Sequence, residues 1–108
     1  MEELETDETS LAVEQSRDAD GSPVVRLSGE LDISNAHTLR ETMEAVVGTS
    51  PSRLVFDLSE LAFMDSSGIA VMVYAANNVP TVELRHASSI VRRVVEATGL
   101  AEILRLDP

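Results

Sequence analysis

Apolar and polar positions change their period several times along the chain, and each change marks an element. In "SLAVEQ", Leu11 and Val13 alternate with polar residues, which predicts a short strand over Ser10–Gln15. Asp20-Gly21 supplies a hairpin turn, and Val24–Ser28 predicts the returning strand. Pro23 fits the start of that strand, where a missing N–H does least harm. "ELDIS" reads as a loop ending in Ser34, a helix N-cap. Ala36, Leu39, Met43, Val46 and Val47 then recur at helical spacing, opposite His37, Arg40, Glu41 and Glu44. They predict an amphipathic helix from about Asn35 to Val47, with Gly48 as its C-terminal cap.

"RLVFDLS" predicts a third strand, and the consecutive Leu54, Val55 and Phe56 suggest a central one. It is expected to end near Asp57, with a short loop running on through Leu61 and Met64. Gly68–Ala76, "GIAVMVYAA", is ambiguous: its valines favour a strand, its alanines and methionine a helix. A helix is preferred, because the elements then alternate strand–helix–strand–helix and build right-handed crossovers in a largely parallel sheet. Thr81–Arg85 predicts a fourth strand. "SSIVRRVVEATGL" predicts a second amphipathic helix, with Ile90, Val91, Val94 and Val95 on one face and Gly99 ending it. A short turn or strand closes the chain. Met43, Met64 and Met72 fall at apolar positions and are expected in the core.

Composition narrows the function. The 108 residues suit one domain, and 44% are hydrophobic, enough for a packed interior. No apolar run reaches the roughly 20 residues needed to span a bilayer, and the acidic start resembles no targeting peptide, so a cytoplasmic location is expected. With no cysteine and only His37 and His86, thiol chemistry is excluded and a metal site disfavoured. The net charge is −11, which argues against nucleic acid and anionic membranes as partners. Glu2, Glu3, Glu5, Asp7 and Glu8 contribute five of those charges. Residues 1–9 are expected to be a flexible acidic tail, and residues 10–108 the domain.

The chemistry concentrates in "MDSSG", Met64–Gly68, at an expected helix start. The first amides of a helix lack intrahelical partners, and Asp65 or Ser66 can cap them. The same amides and the helix dipole also favour a phosphate, so a serine here is equally placed to be a modification site. A serine hydrolase is a poor third reading, since Ser66 lacks a G-x-S-x-G elbow and an evident histidine base.

"SGELDISNAHTLRETM", "LVFDLSELAFMDSSGIAVMV" and "SSIVRRVVEATGL" follow one another at intervals that resemble a STAS domain, and within that family a bacterial anti-sigma-factor antagonist. The resemblance runs from Ser10 to Leu106. It implies an α/β fold: a four- to five-stranded mixed sheet with an N-terminal hairpin and crossover helices packed mainly on one face. It implies a binding module without enzymatic activity or cofactor, whose unphosphorylated form binds an anti-sigma factor of the serine-kinase type and releases a sigma factor. Ser66 is the implied phosphoacceptor, with Ser67 as a secondary site. Asp32, Asp65, Ser67 and Gly68 are the implied phosphosite support and partner contacts. A phosphatase resets the cycle, and a monomer or weak dimer is expected. The alternative is a STAS scaffold of a signalling assembly in which the serines are only caps. Three features depart from the family pattern: Ala70 in "SGIA", "AANNVP", which is short for a helix end and turn, and the acidic N-terminal tail.

Overall fold

A computed structural model of the chain describes residues 10–106; the acidic stretch at residues 1–9 lies outside them. Strand β1 (Leu11–Arg17) turns at Asp20-Gly21 into β2 (Pro23–Leu31). Gly21 takes φ +86°, and Asp18 closes the turn, donating its N–H to Ser22 O and accepting from Gly21 N. Helix α1 (Ala36–Val47) leads to β3 (Arg53–Met64), then α2 (Ser66–Asn78), β4 (Thr81–Arg85), α3 (Ser89–Ala97) and β5 (Arg105–Leu106). The sheet order follows the chain, β1-β2-β3-β4-β5. Among the described residues only β1 and β2 pair antiparallel; the remaining neighbours are parallel. Each parallel step takes a helix as its crossover. Right-handed crossovers stepping one way put every helix on the same face.

That face holds the core. Val25, Leu27, Leu54, Phe56, Leu58, Val82 and Leu84 meet Leu39, Met43, Ile69, Met72, Val91 and Val95 in one buried cluster. Met43, Met64 and Met72 are all fully buried. Of the four residues expected on the face of α3, Val91 and Val95 are buried and Val94 partly so, but Ile90 is 57% exposed. It lies in the first turn of α3.

The opposite face carries charge instead of helices. The register sets Glu14, Arg26, Asp57 and Arg85 in one row across four strands, with signs alternating. Beside them Arg53 joins Glu83 at 3.0 Å and Asp18 at 3.0 Å, and Arg85 joins Asp18 at 3.1 Å. Val55 is fully buried on this face, between Val24 and Glu83 across the strands and Arg53 and Asp57 along its own. The unbroken Leu54-Val55-Phe56 run thus has one side against helices and the other among the stems of charged residues.

Strand β3 is longer than expected: it continues to Met64 with no intervening loop. Between the pairs Arg26↔Asp57 and Ser28↔Glu60, β3 advances three residues to the two of β2. Between Gly29↔Leu61 and Glu30↔Phe63 it advances two to one. Two bulges on one strand change the inward period, so Leu58, Leu61 and Met64 all point to the core at a spacing of three.

Candidate functional site

The bulged end of β3 delivers the candidate phosphoacceptor. Leu31 pairs with Met64, and one further bond, Asp65 N–H to Leu31 O at 3.1 Å, extends the ladder. The residues just past these strand ends, Asp32 on β2 and Asp65 with Ser66 on β3, are therefore neighbours. Asp65 is the N-cap of α2: its carboxylate accepts from Ser67 N–H at 2.8 Å and its carbonyl from Gly68 N–H at 3.1 Å. Ser66 is the first helical residue. It is exposed, and its hydroxyl and its N–H have no protein partner among the described residues. Ser67 is half-buried behind it.

Gly68 is buried where the helix start meets the two strand ends. A Cβ there would lie 2.6 Å from Leu31 Cδ2 and 2.7 Å from Met64 Cγ. The glycine of "DSSG" is thus explained by close approach, and it lets the first turn of α2 seat directly on Leu31 and Met64.

The Asp32 loop is built by a buried asparagine. Asn35 is 1% exposed; its amide oxygen accepts from Asp32 N–H at 3.0 Å, and its amide nitrogen donates to Glu30 O and Ser10 Oγ, each at 3.0 Å. Ser34, expected as the N-cap of α1, is exposed and donates instead to the Asp32 carboxylate, from Oγ at 2.6 Å and N at 3.0 Å. Asn35 occupies the cap position but makes no side-chain cap bond, because its side chain is turned inward to hold the loop. Sequence reasoning placed Asn35 at the helix start and missed this role. An Asx residue three positions past an acid was the available signal. The glycine of "GELD" has its own reason: Gly29 takes φ +100°, and a Cβ there would overlap the Ser10 carbonyl.

The structure thus brings Asp32, Asp65, Ser66, Ser67 and Gly68 to one corner. Glu30, Asp32 and Asp65 make no ion pair there among the described residues, whereas the arginines of β3 and β4 are engaged on the charged sheet face. Exposed apolar side chains flank the corner: Ile33 at 81% and Phe63 at 42%. A hollow of about 250 Å³ lies elsewhere, between the hairpin and the end of α1, and is lined by Arg17, Asp20, Pro23, Thr49 and Arg53, none of them from this corner. His37 is exposed on α1, and no helix among the described residues is long and apolar enough to cross a membrane.

Comparison with known proteins agrees with this fold. The family described as "STAS domain" matches residues 11–108. The anti-sigma-F factor antagonist RsfB of Mycobacterium tuberculosis is 30% identical over 92 residues, which cover 82% of this chain and 75% of that protein. The crystal structure of an anti-sigma factor antagonist from Mycobacterium paratuberculosis superposes with a TM-score of 0.79 at 33% identity, over 92% of this chain and 86% of that one. The unphosphorylated form of the anti-sigma factor antagonist SpoIIAA shares the fold at 22% identity, with a TM-score of 0.76 over 90% of this chain and 89% of that one.

Proposed function

Because the chain belongs to the STAS domain family, we propose that it is an anti-sigma-factor antagonist switched by phosphorylation at Ser66. The unphosphorylated form binds an anti-sigma factor of the serine-kinase type and so frees a sigma factor. The kinase moves the γ-phosphoryl group of ATP to Ser66 Oγ; ADP leaves and the hydroxyl proton is lost. A phosphatase restores the serine by hydrolysis. The protein itself acts as a binding module, without catalysis of its own. This reading rests on one observation above all: Ser66 presents an unbonded, exposed hydroxyl at the first position of a helix whose start is locked onto two strand ends. Exposed Ile33 and Phe63 beside this corner suit a protein partner.

Two serines compete for the role, and exposure favours Ser66 over the half-buried Ser67. The hold of Asn35 and Ser34 on the Asp32 loop supports reading Asp32 as a partner contact. The size of the switch follows from Coulomb's law. Unit charges about 5 Å apart at an effective dielectric near 20 repel by roughly 3 kcal/mol, so a near-dianion facing one acidic group of the partner costs about 6 kcal/mol. That is about four powers of ten in affinity.

The test is affinity capture from native lysate with wild type, Ser66→Ala and Ser66→Asp, followed by incubation of the captured kinase with ATP and mass-spectrometric mapping. Wild type and Ser66→Ala are expected to retain the kinase, and Ser66→Asp to lose it. Phosphate found only away from Ser66 and Ser67, or equal capture by the alanine and aspartate variants, rejects the assignment.

A further inference from the structure

The cap of α2 and the proposed phosphate make opposing demands on the same few atoms. Ser67 N–H is already committed to the Asp65 carboxylate at 2.8 Å, and Gly68 and Ile69 N–H both point to the Asp65 carbonyl, at 3.1 and 3.3 Å. Of the first-turn amides, Ser66 N–H is the one left without a protein partner among the described residues. A phosphate on Ser66 Oγ needs further donors, and the next amide along the helix is the one that Asp65 holds. The helix start cannot shift to supply more, because Gly68 is wedged against Leu31 and Met64.

Among the described residues, no cation pairs with the acids of this corner. Glu30 from the end of β2, Asp32 from its loop and Asp65 itself are acids of this corner, and none is ion-paired among the described residues. On α1, which packs against α2, Arg40 lies 4.0 Å over the Tyr74 ring and pairs with Glu44, while His37 is exposed and without an ion pair among the described residues. On β3, Glu60 pairs with Arg26.

Resting on the reading of Ser66 as the phosphoacceptor, we propose that Asp65 and the Ser66 phosphate compete for the Ser67 amide. Phosphorylation then expels the Asp65 carboxylate from its cap and holds back the second ionisation of the phosphate. The switch is thereby more than an added charge. It re-faces the turn before α2, moving a carboxylate from a helix cap to the surface that meets the partner. It also leaves the phosphate unclamped by arginine, and so open to a phosphatase.

The experiment needs no kinase. Phosphoserine is installed at position 66 of the full chain by genetic encoding, in wild type and with Asp65→Asn or Asp65→Ser, both of which keep a neutral N-cap acceptor. Phosphorus NMR then follows the phosphate through a pH titration, and proton–nitrogen spectra follow the Ser67 amide. In wild type the second pKa is expected about one unit above its ordinary value near 6, and close to 6 in both variants. The wild-type Ser67 amide is expected to titrate with the phosphate. An equal second pKa in all three proteins, a raised value that survives both substitutions, or a Ser67 amide blind to the phosphate overturns the proposal. A kinase that ignored Ser66 would reject the functional reading and leave this titration unchanged, so the two failures are distinguishable.

Discussion

Replacing Gly68 with alanine sets helix propensity against packing. Glycine in a helix interior costs about 1 kcal/mol relative to alanine, so an isolated helix would gain from the change, though less in its first turn. In this protein the new methyl carbon would fall 2.6 Å from Leu31 Cδ2, 2.7 Å from Met64 Cγ and 2.8 Å from Leu31 Cγ. Carbon atoms rest at about 3.5–4 Å, so each contact is short by roughly 1 Å. Leu31 and Met64 are fully buried and cannot swing into solvent. Overpacking of this kind costs about 1–3 kcal/mol, which outweighs the propensity gain and leaves a net loss of about 1–2 kcal/mol. For a domain near 100 residues this lowers Tm by roughly 5–15 °C. Thermal and urea unfolding followed by circular dichroism measure it. Gly48→Ala is the control, because Gly48 has φ −61° and its added carbon would meet only Ala45 O at 3.3 Å and Glu44 O at 3.4 Å. That variant is expected to match wild type or exceed it by up to about 1 kcal/mol. A Gly68→Ala protein as stable as wild type would show that the helix start is not locked to the strand ends, and the geometry argued for Ser66 would lose its support.

Asn35→Ala removes the acceptor of Asp32 N–H and the donor to Glu30 O, and is expected to destabilise the protein by about 2–3 kcal/mol in urea unfolding. Asp65→Ala deletes the cap of α2 at a cost of about 1 kcal/mol, whereas Asp65→Asn costs a few tenths, by the same measurement. The hydrogen bonds from Arg85 and Arg53 hold the Asp18 carboxyl below its usual range, and the Arg53 guanidinium does the same for Glu83. Carboxylates depressed on folding contribute stability that is complete above their unfolded pKa near 4 and is lost as pH falls through the folded values. Wild type is therefore expected to lose Tm steeply below about pH 4, and Arg53→Met to flatten that dependence. An unchanged slope in Arg53→Met would refute the role given to this cluster.

Elements governed by neighbours in sequence were legible before any coordinates. The spacing of Leu39, Met43 and Val46 placed α1 to within a residue of Ala36–Val47, and Thr81–Arg85 is β4 as expected. Asp20-Gly21 turned the hairpin, Pro23 began β2, and the acid–serine–serine–glycine run opened α2. These choices depend on dihedral preference and on residues three or four apart, which a single chain carries in plain order. The identity of Ser66, as a hydroxyl at a helix start, was legible for the same reason.

What the chain order could not supply was decided between segments distant in sequence. Leu58, Leu61 and Met64 fit neither the period of a strand nor that of a helix, and their stretch read as a loop. Pairing with β2 through two bulges made it a strand and set where Ser66 emerges. The cap of α1 went to Asn35 rather than Ser34 because Glu30 O and Ser10 Oγ needed a buried donor, and Ser10 lies 25 residues away. Gly48 kept a right-handed conformation, and the left-handed residue fell at Ser50, with φ 55°, where the chain turns toward β3. Gly68 is required by Leu31 and Met64 across the strand ends rather than by its own dihedrals. Cross-strand register and steric fit are set by contacts among residues that meet only after folding, so no local period in the sequence records them.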